Sequence, residues 1–87
     1  MGMDTKRVEK IIGRYLSMNH IHCGSKVKEI KNETISTYDG LYPSFEIIYE
    51  GKQPIYNITQ LEITQGIEKY TGLKKNKDYW IGVSWEY

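Results

Sequence analysis

Four consecutive residues, His20-Ile21-His22-Cys23, contain both histidines and the one cysteine of the chain. Two imidazoles and a thiolate could occupy three corners of a tetrahedral zinc site, leaving the fourth to a carboxylate, water or another chain. His20, His22 and Cys23 are therefore the metal alternative. Against it, structural zinc sites usually join ligands from separated segments, and these three are almost adjacent. Cys23 is also a candidate nucleophile with His20 or His22 as base, provided its pKa is depressed and a third group orients the pair. The plain alternative is that these residues cover a helix–strand junction around an inert thiol.

No other constellation points to catalysis. Glu46 and Glu50 share strand parity, and Glu62 is explained as a helix-capping carboxylate. There is no phosphate-binding loop, dinucleotide fingerprint or serine-elbow motif. No cofactor is expected.

A basic loop, Lys74, Lys75 and Lys77, is followed by Tyr79 and Trp80. That pattern suits phosphate contacts beside a stacking platform, with Lys6, Arg7, Lys10 and Arg14 adding a basic helix face. Glu9 and Glu68 interrupt the charge, and the net charge of the chain is only +1. A field that weak steers neither nucleic acid nor an anionic membrane.

Aromatic residues make up 13% of the 87, including eight tyrosines and two tryptophans. In a chain this short they must supply much of the core. Those left outside provide large contact area at low entropy cost.

The elements that position these residues follow from periodicity. Val8, Ile11, Ile12, Tyr15 and Leu16 predict an amphipathic helix from about Thr5 to Met18, with Asp4 as N-cap. Gly13 costs this helix about 1 kcal/mol against alanine and is expected to permit close packing. Asn19 to Gly24 reads as a connection. Lys26 to Thr37 reads as a solvent-facing strand, broken or bulged because Val27 and Ile30 have opposite parity. Asp39-Gly40 signals a hairpin. Ser44 to Glu50 is the next strand, with Phe45, Ile47 and Tyr49 inward and Ile48 outward. Gln53 to Tyr56 is a candidate short strand, kept at an edge by Pro54.

Thr59 and Glu62 read as a capping box opening a second helix, with Ile58 and Ile63 as its staple. Ile63, Ile67 and Tyr70 form its buried stripe, and Gly72 ends it with Leu73 folding back. The last strand runs from Asp78 to about Glu86, with Tyr79, Ile81, Val83 and Trp85 on one face and Trp80 on the other.

The expectation is one α+β domain over residues 1–87. It has two layers: a mainly antiparallel sheet of three to four strands with two helices on one face, in the order α-β-β-(β)-α-β. The expected function is non-enzymatic binding of a protein partner through Trp80, Tyr42, Tyr56 and Tyr87. Glu46, Glu50 and Glu86 supply polar contacts. Size and composition fit an inhibitor of the phage or mobile-element type. The alternatives are a nucleic-acid or nucleotide binder and a small metal- or thiol-dependent enzyme. Lack of a signal peptide or apolar span suggests a soluble cytoplasmic protein with no membrane contact. A homodimer is compatible with an exposed sheet edge.

Overall fold

The computed structural model describes residues 5–38, 40–55 and 58–86. Asp4, Asp39, Tyr56 and Tyr87, named above as cap, turn and binding residues, lie outside the described residues. Two helices and a four-stranded mixed sheet follow one another as α1 (Thr5–Met18), β1 (Ile21–His22), β2 (Ser25–Thr37), β3 (Gly40–Glu50), α2 (Thr59–Thr71) and β4 (Trp80–Glu86). This is the α+β class and the order expected. No described helix is long and apolar enough to cross a membrane.

Helix α1 forms because Val8, Ile12 and Leu16 fall on one face, where they are buried. The Asn19 side chain donates to the Tyr15 carbonyl at 2.9 Å and closes the last turn. Gly13 has open space around it, so close packing does not explain it. The glycine that packing does require is Gly66, where a Cβ would collide with the Tyr15 phenol.

The sheet order is β1-β2-β3-β4. The extra strand expected at Gln53–Tyr56 is absent from residues 53–55. The fourth strand is instead β1, inside the segment read as a connection. It turns into β2 through Cys23 and Gly24, at φ 50° and 79°. A two-residue hairpin loop with both φ positive matches the right-handed twist of the strands it joins.

The parity conflict in β2 is resolved by a bulge. Val27 pairs with Tyr49 and Glu29 with Ile48, so Lys28 is the extra residue. The bulge turns Val27 and Ile30 to the same face. Thr37 pairs with Gly40, so Gly40 already belongs to β3 and not to the turn that the Asp39-Gly40 signal suggests. Strand β3 then crosses over through α2 to β4, which pairs with it in parallel.

At the start of α2 the capping box does not form. Ile58 is the N-cap and no side chain caps it. Thr59 is the first helical residue and fully buried, and the Glu62 carboxylate turns elsewhere. The expected staple frame is therefore one residue out, and Ile58 is exposed. Tyr70 is also exposed, resting on Tyr15 at 5.8 Å between ring centroids. The C-terminal end is as expected: Gly72 adopts φ 81° and donates to the Glu68 carbonyl.

Both helices cover one face of the sheet. Val8, Ile12, Leu16, Ile63, Ile67 and Leu73 meet Phe45, Ile47, Tyr49, Tyr79 and Ile81 in the core. Val83 and Trp85 pack at its margin.

Candidate functional site

The sheet face turned away from the helices follows from the register. On β3 it carries Tyr42, Ser44, Glu46, Ile48 and Glu50, because Phe45, Ile47 and Tyr49 face the core. On β4, Trp80 pairs with Ser44, Gly82 with Glu46, Ser84 with Ile48 and Glu86 with Glu50. On β2, Ile35 pairs with Tyr42, Glu33 with Ser44 and Lys31 with Glu46. Every described residue assigned to partner binding (Trp80, Tyr42, Glu46, Glu50 and Glu86) therefore shares this face.

Trp80 is 37% exposed, and Tyr42 and Ile35 are half-buried. They form an apolar spot where β4 begins. Ile48, read as outward-facing on β3, is only 2% exposed and is no part of an accessible patch. Glu46, Glu50 and Glu86 are all exposed. Lys28, at the bulge, reaches Glu86 at 3.6 Å.

The His20-Ile21-His22-Cys23 cluster divides three ways. His20 is exposed. His22 is buried, and the Tyr49 hydroxyl lies 2.8 Å from its Nδ1. Burial holds the Tyr49 phenol well above its usual pKa, so its O–H donates and Nδ1 accepts. Burial also lowers the His22 pKa, leaving a neutral ring whose Nε2 has no hydrogen-bond partner.

Cys23 turns its thiol to Glu62 Oε2 at 3.0 Å. That bond is the main reason its pKa is raised, with burial second. A nucleophilic thiol needs the opposite shift. Thr59, buried beside it, has a hydroxyl without a partner. Among the described residues, no three His, Cys, Asp or Glu side chains are placed to hold a metal. Trp85 stacks on Tyr49 at 5.3 Å and donates to the Ser25 hydroxyl at 3.0 Å, which ties β4 to the β1–β2 turn.

The basic residues assigned to nucleic acid stand apart from this sheet face. Arg7, Lys10 and Arg14 are exposed on α1. In the loop after α2, Lys74 is 4.0 Å from Glu68 and its N–H donates to Asp78 Oδ2. Lys75 donates to Gln60 Oε1 at 3.2 Å, and Lys77 is exposed. An open groove of about 400 Å³ lies here, lined by Leu61, Thr64, Gln65, Glu68, Lys74 and Lys75. The stacking partner assumed for this loop, Trp80, belongs to the opposite face of the sheet. Tyr79 is buried in the core, its phenol pushed up to about 12 chiefly by burial.

Sequence reasoning missed Ile35 and Glu33. Both sit on the same face as Trp80, and only the position of the bulge determines that.

Comparison of the chain with protein-family models, curated proteins and solved structures finds no match.

Proposed function

We propose that this protein is a non-enzymatic binding protein that acts by laying one sheet face against a partner protein. One observation carries the reading: the register gathers Trp80, Tyr42 and Ile35 on a face that neither helix covers, with exposed carboxylates beside them. Aromatic anchors surrounded by polar side chains are the usual source of binding energy at protein interfaces. An inhibitor of the phage or mobile-element type would work through such a surface. The thiol reading has less support, because Glu62 keeps the proton on Cys23. The nucleic-acid reading has less support because Lys74 and Lys75 already have partners within the fold.

The test is capture from extracts of the source cells by the wild-type protein and by Trp80→Ala and Tyr42→Ala variants of unchanged circular dichroism. The expected result is a protein retained by wild type and lost with either variant. Equal retention by all three, or no retained protein, overturns the reading.

A further inference from the structure

We infer that the partner segment taken by the open sheet face is cationic, carrying lysine or arginine beside bulky apolar residues. This rests on the protein-contact reading above. The face carries five carboxylates: Glu29 and Glu33 on β2, Glu46 and Glu50 on β3, and Glu86 on β4. Lys26, Lys28 and Lys31 are its cations among the described residues. Five carboxylates against three lysines leave this face net negative on a chain whose total is +1.

The arrangement is costly for the free protein. Glu50 and Glu86 are direct register partners, and like charges side by side on neighbouring strands destabilise a sheet. Among the described residues, neither Glu33 nor Glu50 has an ion-pair partner. A cation from outside would relieve both.

The apolar part fits the same guest. Glu33, Ser44 and Trp80 form one row across three strands. The small Ser44 separates carboxylate from indole by two strand spacings, roughly 10 Å. A lysine or arginine stem fits along the indole, where the ring face attracts a cation, with its head directed to Glu33. An acidic partner or a nucleic acid would meet repulsion here.

Two 12-residue peptides test this by nuclear magnetic resonance. One alternates Lys or Arg with Leu and Tyr; the other has Glu in place of every cation. The basic peptide is expected to shift the amides of Tyr42–Glu50 and Trp80–Glu86 and to quench Trp80. Its affinity should fall about tenfold or more between 50 and 300 mM salt, and similarly in a Glu33→Lys/Glu50→Lys variant. Equal binding of both peptides, or shifts confined to the helices, overturns the inference. So does sedimentation showing that the protein alone dimerises through this face, because a second copy is then the occupant. If Trp80→Ala abolishes capture of a host protein while neither peptide binds, the cationic partner is wrong and the protein-contact reading stands.

Discussion

The Cys23 thiol shares its proton with the Glu62 carboxylate, and this sets how the only sulfhydryl in the chain reacts. A thiol whose folded pKa is raised stays protonated at pH values where a free one has begun to ionise. Alkylation by iodoacetamide at pH 8 should therefore be slower in the folded protein than in urea. Glu62→Gln should speed the folded reaction several-fold, while an unchanged rate would separate the thiol's pKa from Glu62. His22 gives the opposite pH dependence. Its folded pKa lies below the ordinary value near 6.5, so the unfolded chain takes up a proton first as pH falls. The stability it contributes is complete above about pH 6.5 and is lost on acidification. The slope is at most about 1.4 kcal/mol per pH unit. Urea unfolding at pH 7.5 and 5.5 should show this loss in the wild type and a smaller one in His22→Gln.

The start of α2 is where local sequence and tertiary structure disagree. Thr59 and Glu62 have the spacing of a capping box, and by that reading Thr59→Val would cost about 1 kcal/mol. In the fold, the Thr59 hydroxyl is buried without a partner. Removing an unsatisfied buried hydroxyl while keeping the side chain's shape should raise stability by about 1 kcal/mol. The sign of the change in urea midpoint decides between the two. The pattern misleads because the β1–β2 turn brings Cys23 to Glu62, a contact between residues 39 apart that periodicity cannot reveal. Other elements were easily read. The helix stripes, the alternation of Phe45, Ile47 and Tyr49 and the Gly72 terminus each depend on neighbours a few residues away. Strand β1 was missed because two residues carry no periodicity, and Tyr70 because Tyr15 offered it a ring to rest on outside the core.

At the scale of the molecule, the longest dimension is 38 Å, close to the ~36 Å length of an 11-residue strand such as β3. Strand β4 pairs with β3 only from Ser44 onward. The segments Thr34–Thr37 and Gly40–Pro43 therefore project as a two-stranded ribbon, tethered to α1 by the Thr34 hydroxyl donating to Glu9 at 3.1 Å. Two strands alone are barely stable in water. Amide hydrogen exchange should be much faster for Ile35 and Tyr42, a hydrogen-bonded pair of the ribbon, than for Ile47 and Tyr49. Equal protection would mean that the ribbon is held by more than its own ladder. The charge asymmetry also belongs to this scale. The near-zero total concealed it, because strand parity decides which carboxylates gather and a single bulge sets that parity.

That bulge makes Lys28 the one removable residue of its strand. Taking it out would let Val27 and Glu29 follow each other in an unbroken ladder, with every later side chain still facing the same way. Deleting any residue between Ile30 and Ile35 would turn part of the strand over and bring charged groups under the helices. A deletion series through Lys26–Ser36, followed by thermal melting, should find folded protein at the bulge and little or none beyond it.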